Sequence, residues 1–314
     1  MLNTETQIKP KKTKFGKISK EIYKGRYCYL LFLPVFVYFI VFYYFPMYGI
    51  VISFQDYSPY TGFFGSPWVG LKHFKSFING AYFWQIIWNT LYINILNILW
   101  TFPFPIVLAL LLNEVKCMKF KKTVQTISYL PHFISIVVMV GIVYDFLAQN
   151  GVVNKLIEML GFGPVNFLSD AGFFRSIYIG SGLWQEIGWN SIIYMAALSG
   201  IDATLYEAAS IDGAGRFKKL IHITLPGLAP TIIITLLLSM GAMMTVGFDK
   251  IFLMQNSLNT QVSEVVSTYM YKRALLSGSF SFGTAVGLFN SVVNVTLLLI
   301  VNKFSKQISD ISLW

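Results

Sequence analysis

Long stretches without Asp, Glu, Lys or Arg divide this sequence into six apolar segments. Five of them contain none of these residues and the sixth contains only Glu186; they are 27–55, 76–113, 123–144, 176–201, 220–248 and 274–302. A helix needs roughly 20 apolar residues to cross a bilayer. We therefore predict six transmembrane helices, at about 28–53, 87–112, 124–147, 175–199, 229–248 and 283–302.

The composition supports an all-α integral membrane protein. Of the 314 residues, 55% are hydrophobic and 12% are charged, whereas soluble domains contain roughly 45–50% apolar and about 25% charged residues. So little polar surface cannot cover a water-soluble globule. Disordered chains, coiled coils and disulfide scaffolds are excluded by the same figures, and the two cysteines have no metal-binding spacing.

The positions of the basic residues predict the orientation. Eight of the 24 Lys and Arg residues lie in the first 26 positions, and 17 of the 24 fall in segments that are cytoplasmic if the N-terminus is inside. The positive-inside rule then places both termini in the cytoplasm. We predict a basic N-terminal arm (1–27), a six-helix permease domain (28–302) and a cytoplasmic tail (303–314). The arm has no groove-reading or aromatic element, so we expect it to anchor the topology and not to bind nucleic acid.

Catalytic motifs are missing from the sequence. It contains no phosphate-binding G-x-x-x-x-G-K-[ST], no G-x-G-x-x-G, no H-E-x-x-H and no G-x-S-x-G. The three histidines lie in different loops or spans. We therefore expect no catalytic residue, no metal site and no nucleotide site in this chain.

One predicted cytoplasmic loop, 200–228, has helical character. Good helix formers fill 205–211, Gly213 and Gly215 permit a sharp turn, and a second short amphipathic helix follows until Leu225-Pro226 ends it. This helix–turn–helix could dock on a partner, with Ala208 and Ala209 allowing close approach and Glu207 and Asp212 offering charge-assisted contacts. It could equally rest on lipid headgroups, and helix physics alone does not choose between the two.

A resemblance favours docking. Glu207-Ala208-Ala209, Gly213 and Ile223-Thr224-Leu225-Pro226 match the EAA motif of the membrane subunits of ATP-binding-cassette importers. Further segments are similar to the maltose-type carbohydrate permeases, especially those handling oligosaccharide fragments of polysaccharides: Gly70-Leu71 with Phe74, Asn89-Thr90-Leu91, Tyr129-Leu130-Pro131-His132-Phe133, the run from Trp189 to Asp212, Val246 to Lys250, and Phe282-Gly283-Thr284-Ala285.

The resemblance implies a type I importer permease fold in a bacterial inner membrane, with a second, related permease and two cytoplasmic ATPase subunits as partners. ATP and Mg²⁺ would be bound by the ATPase, and this chain would bind no cofactor. The EAA loop would be the coupling helix, with Glu207 contacting the ATPase, Ala208 and Ala209 packing into its cleft, and Gly213 making the turn. We add Asp212 to these coupling residues because of its charge. An external solute-binding protein would deliver carbohydrate to loops 54–86, 148–174 and 249–282.

Polar residues inside the predicted spans are candidates for the substrate path, because burying them in lipid is costly. Glu186 lies one helical turn from Asn190, beside Trp189 and Gln185. Carboxylate, amide and indole groups suit sugars, although Glu186 could instead hold the helices together; the resemblance favours the path. We add Asp249, Asn290 and Asn294 as candidates, with an interfacial position (Asp249) or interhelical hydrogen bonding (Asn290 and Asn294) as their alternatives.

We thus expect a permease subunit for carbohydrate, in particular oligosaccharide. Two alternatives remain open. A permease of the same architecture could carry another solute, such as an amino acid or phosphate. A membrane-embedded enzyme would need a catalytic group, for which Glu186 is the one candidate.

Overall fold

The computed structural model of the protein describes residues 24–309. Most of the predicted basic arm and the end of the predicted tail lie outside the described residues. Within 24–309 the regular secondary structure is helical, apart from one antiparallel bridge between Gln55 and Trp68.

The chain divides into two compact units between Val51 and Ile52. Helix α1 (Arg26–Phe39) of the first unit continues through a π-helical turn (Ile40–Tyr44) and a short helix (Phe45–Met47) into a 3₁₀ helix (Tyr48–Phe54), within which the boundary falls. Pro46 has no N–H to donate to the preceding turn, and such a gap is commonly absorbed by a wider turn. Apart from Arg26, the side chains of α1 are largely apolar, and they are exposed, as in a helix that faces lipid.

Nine helices among the described residues of the second unit form its main packing and the site, and we number them in chain order. They are α2 (Phe83–Thr101), α3 (Pro103–Glu114), α4 (Met118–Tyr129), α5 (Ile136–Leu147), α6 (Ala171–Ser199), α7 (Ala203–Ile211), α8 (Leu225–Gly241), α9 (Phe248–Met254) and α10 (Phe280–Ser309). Short helices and helical turns connect them: Gly62–Gly65, Lys72–Ile78, Leu130–Phe133, Val152–Met159, Arg216–Lys219, Leu220–Thr224, Thr260–Ser263, Val266–Tyr271 and Lys272–Leu276.

Five helical stretches of the described chain have the length and apolar character needed to cross a membrane: Arg26–Phe54, Phe83–Glu114, Ile136–Met159, Arg216–Gly241 and Phe280–Gln307. The remaining predicted span, 175–199, falls within α6. Its 29 residues give a length of about 43 Å at 1.5 Å per residue, but Arg175 and Glu186 make it more polar. The six-span count and the orientation of the termini stay predictions.

The third predicted span, 124–147, is not one continuous helix. It is broken between α4 and α5 by a 3₁₀ turn (Leu130–Phe133) and by Ile134, whose backbone is extended (φ −76°, ψ 128°). Pro131 starts the break because it cannot donate a helical hydrogen bond. Ser135 then begins α5 as its N-cap, accepting a hydrogen bond from the backbone N–H of Val138.

The fifth predicted span, 229–248, has different limits. The helix of the cytoplasmic loop does not end at Leu225-Pro226, because a π-helical turn (Leu220–Thr224) joins it directly to α8. Pro226 has no N–H to donate to the preceding turn. The wider π-helical turn absorbs this missing hydrogen bond, so the chain stays helical. At its other end α8 stops at Gly241, and residues 242–247 are not helical.

Helix α6 lies at the centre of the packing. Its Phe174, Tyr178 and Ile179 join a buried cluster with residues of α2, α5 and α9. Its other end supplies Tyr194 and Leu198 to a second cluster with α3 and α8. Between these clusters α4 approaches α6 so closely that a Cβ atom on Gly188 would collide with the backbone carbonyl of Ser128.

We predict that Gly188→Ala destabilises the protein by about 1–3 kcal/mol, since the backbone of α4 would have to move to admit the methyl group. The measurement is the thermal unfolding midpoint of the protein in detergent. Gly141→Ala is the matched control, because Gly141 is also in a helix but a Cβ there meets nothing within 4 Å. Equal midpoints for the two variants would contradict the prediction.

Candidate functional site

A cavity of about 660 Å³ lies between α2, α3, α6 and α8. Its polar wall consists of amide and hydroxyl side chains: Asn94, Asn97, Thr101, Asn190, Tyr194, Thr235, Ser239 and Thr245. Trp189 adds a large aromatic surface. No charged residue is among those that line the cavity in the described chain.

The non-helical segment after α8 forms part of this wall, through Ala242 and Thr245. Asn294 of α10 holds it in place: its Oδ1 accepts the backbone N–H of Met244 at 2.8 Å, and its Nδ2 donates to Thr245 Oγ1 at 3.0 Å. Irregular backbone is tolerated at membrane depth only where it is buried in protein or lines a water-filled cavity. The non-helical segment after α8 therefore lies where irregular backbone is tolerated, beside the polar space between the helices.

Two of the predicted path residues, Trp189 and Asn190, line the cavity. The other two on α6 do not. Glu186 Oε2 lies 3.0 Å from His132 Nδ1, and Gln185 donates a hydrogen bond of 2.9 Å to the carbonyl of Ile134. Both therefore contact the break between α4 and α5.

The three remaining predicted path residues also lie outside the cavity wall. Asp249 is exposed on α9. Asn290 is half-buried on α10, and its Oδ1 has no hydrogen-bond partner among the described residues. Asn294 supports the wall from behind, through Met244 and Thr245.

Sequence reasoning missed the cavity residues outside α6. A signal was available, because Asn94, Asn97 and Thr101 follow at i, i+3 and i+7, and Thr235 and Ser239 at i and i+4. Such spacing puts each set on one face of its helix. Lys250, which follows Asp249 at the predicted outer end of the fifth span, is only 7% exposed and donates a 2.6 Å hydrogen bond to the carbonyl of Tyr178, so it is buried in the protein and does not line the cavity.

The loop between α6 and α8 forms a well-defined elbow, which we define as residues 202–219. Asp202 is the N-cap of α7, where its Oδ1 accepts the backbone N–H of Thr204 at 2.9 Å. Hydrogen bonds from the backbone and the side chain of Thr204 lower the pKa of Asp202. The helix ends in a Schellman motif, with hydrogen bonds from Gly213 to Ser210 and from Ala214 to Ala209. Gly213 adopts the positive φ of 73° that this motif requires.

Two side-chain contacts brace α7 against the helical segment that follows the turn. Tyr206 Oη lies 3.0 Å from Thr224 Oγ1, and Lys219 Nζ donates to Ser210 Oγ at 2.6 Å. The opposite surface of α7 is open.

This open surface carries the predicted coupling residues. Glu207, Ala208, Asp212 and Gly213 are exposed and Ala209 is half-buried. Neither Glu207 nor Asp212 forms an ion pair within 24–309. Beside them Ile211 is 88% exposed, so the surface combines small, apolar and acidic side chains.

Comparison with known proteins identifies the family. The model of the binding-protein-dependent transport system inner membrane component matches residues 94–309. The chain belongs to this family. It is therefore the membrane component of a transport system and not an enzyme, and its place is the inner membrane.

Members of the family with high similarity cover nearly the whole chain. Protein LplB of Bacillus subtilis is 44% identical over 285 residues, which are 90% of each protein. The polygalacturonan/rhamnogalacturonan transport system permease protein YteP of the same organism is 43% identical over 301 residues, covering 96% of this chain and 94% of YteP.

A solved structure has the same fold. A chain in the crystal structure of a bacterial ABC transporter involved in the import of the acidic polysaccharide alginate superposes with a TM-score of 0.87 at 39% identity. The match covers 93% of this chain and 99% of that one. The type I permease fold expected from the EAA motif is thereby confirmed.

We predict that Asn294→Ala destabilises this permease by about 1–3 kcal/mol, because it leaves the backbone N–H of Met244 without its acceptor. Thermal unfolding in detergent measures the effect. Asn290→Ala, one turn away on the same helix, is the control and should be nearly neutral, because its Oδ1 is buried without a partner. Equal losses in both variants would show that Asn294 does not support the wall.

Proposed function

We propose that this chain forms one half of the translocation path of an ATP-driven importer for oligosaccharides. The observation that carries the proposal is the cavity of about 660 Å³ with its amide, hydroxyl and indole lining. Its size falls within the range of about 300–1,000 Å³ that is usual for small-molecule sites.

The chemistry of the cavity suits a carbohydrate. Amide and hydroxyl groups both donate and accept hydrogen bonds, as sugar hydroxyls do. The indole of Trp189 offers a flat apolar surface on which the C–H face of a sugar ring can stack. The lining contains no charged side chain among the described residues, so recognition there rests on hydrogen bonds and on stacking.

The names of the relatives point to the same class of cargo. Besides YteP, the arabinooligosaccharides transport system permease protein AraP of Bacillus subtilis is 29% identical over 287 residues, 90% of this chain. A second structure, with 38% identity and a TM-score of 0.87, is the alginate ABC transporter in complex with its alginate pentasaccharide-bound periplasmic protein. We transfer from these proteins the class of cargo, an oligosaccharide, and the need for an external binding protein.

We further propose that the elbow docks on a cytoplasmic ATPase. Its exposed Ile211, Ala208 and Glu207 form a surface that can enter a cleft and make a charge-assisted contact there. ATP and Mg²⁺ would be bound by the two ATPase subunits, and a second, related permease would complete the path. This arrangement places the elbow in the cytoplasm, as the charge distribution predicts.

We predict that the importer, reconstituted in proteoliposomes with its partner subunits and binding protein, takes up labelled oligosaccharides in an ATP-dependent manner. The test panel contains oligogalacturonides, alginate oligomers and arabino-oligosaccharides, with an amino acid and phosphate as other solutes. Uptake of an amino acid or phosphate without uptake of any sugar would overturn the proposal.

We predict that Gly213→Val uncouples the importer. A β-branched residue at φ 73° is strained by about 1–2 kcal/mol, which should disrupt the end of α7 and displace the docking surface. Uptake should fall about tenfold for this energy range, while basal ATP hydrolysis persists. Gly213→Asn is the control, since Asn tolerates this conformation better than other side chains. Normal uptake by Gly213→Val would contradict the docking role.

A further inference from the structure

The indole of Trp189 is held on one face by the break between α4 and α5. The ring of His132 lies parallel to it, with 4.2 Å between the ring centroids and 3° between the planes. Phe133 meets it edge-on at 5.6 Å and 82°. Because an aromatic ring has two faces, the stack with His132 leaves the second face uncovered by this pair, and Trp189 remains 41% exposed.

His132 is in turn held by Glu186. Their Nδ1–Oε2 distance of 3.0 Å is a hydrogen bond, and a bond to a carboxylate is among the stronger ones in proteins. Glu186 and Trp189 are three residues apart and therefore neighbours on the surface of α6. His132 bridges the two side chains, and neither His132 nor Glu186 lines the cavity.

The backbone that carries His132 has little freedom to move. Gln185, only 7% exposed, donates its amide to the carbonyl of Ile134 at 2.9 Å. On the other side of the turn, Ser128 packs directly against Gly188. The turn is thus attached to α6 at both ends, so that the position of the His132 ring is fixed relative to α6.

We propose that His132 and Glu186 form a clamp that positions the indole of Trp189 for stacking against a sugar ring in the cavity. Both are positioning residues that act through Trp189, and Glu186 is not itself a cargo ligand. The proposal rests on the proposed function, since it assumes that the cavity binds the carbohydrate.

This role differs in a measurable way from direct binding by Glu186. If the carboxylate acts only through Trp189, its loss has no further effect once the indole is gone. If the carboxylate binds sugar hydroxyls, its loss and the loss of the indole contribute separately. A double-mutant cycle distinguishes these cases.

The experiment measures equilibrium binding of a labelled oligosaccharide to the assembled importer in nanodiscs, without the binding protein, by scintillation proximity. The probe is the oligogalacturonide, alginate oligomer or arabino-oligosaccharide that gives the highest uptake in the panel above. We expect Trp189→Ala and Glu186→Ala each to raise the dissociation constant about tenfold, as for the loss of a good aromatic contact. The double variant should bind no more weakly than Trp189→Ala alone.

Two conservative variants and one control complete the design. Glu186→Gln keeps an acceptor for His132, so its dissociation constant should remain within about twofold of the wild-type value. His132→Phe keeps the ring stack on Trp189 and should bind the oligosaccharide more tightly than His132→Ala. Trp184→Ala is the control for Trp189, because Trp184 is 45% exposed on the same helix but does not line the cavity. Basal ATP hydrolysis reports the assembly of every variant.

The outcomes separate the clamp from the proposed function. A roughly hundredfold loss in the double variant, the product of the single losses, would overturn the clamp and make Glu186 a direct ligand. Unchanged binding in Glu186→Ala would also overturn it. Failure of Trp189→Ala to weaken binding, or of the wild type to bind any of the sugars, would overturn the assignment of the cavity instead.

Discussion

The structure depends on one constraint, which is that backbone N–H and C=O groups inside a membrane must find partners within the protein. Within 24–309, interruptions of the helices at 130–135 and at 242–247 border the residues of the site. At each interruption a side-chain amide from a neighbouring helix provides a partner: Gln185 of α6 binds the carbonyl of Ile134, and Asn294 of α10 binds the N–H of Met244. These two amides make the breaks possible, and the second break borders the cavity.

The polar residues within the bundle therefore have separate tasks. Gln185, Glu186 and Asn294 are engaged by the backbone or by His132 and keep the walls in place. Asn94, Asn97, Asn190 and the hydroxyls of α8 face the open space. A polar side chain in a predicted span can therefore either support the backbone of a wall or face the cavity, and only the positions of its neighbours distinguish the two.

This explains how far the sequence could predict the site. Uncharged segments indicated the membrane character, and the EAA residues identified the family and the elbow, because both signals are local. The partner of Glu186 is His132, 54 positions away, and no pattern along the chain predicts that contact. Pro131 is a local signal for the first break, but the second, after Gly241, is stabilised by an Asn on another helix. The spacing of the cavity residues on α2 and on α8 places each set on one helix face. However, hydroxyl and amide side chains at such spacings also form ordinary interhelical contacts.

The elbow and the cavity belong to one mechanical element. The continuous helical stretch Arg216–Gly241 begins at the elbow and spans about 39 Å at 1.5 Å per residue. Tyr206 and Ser210 attach α7 to its start through Thr224 and Lys219, and Thr235 and Ser239 near its end line the cavity. Because a helix can transmit displacement along its axis, this stretch would carry a movement of the elbow, as the proposed docking requires, to the cavity wall. This helical stretch ends at the non-helical segment 242–247, which Asn294 attaches to α10 through Met244 and Thr245.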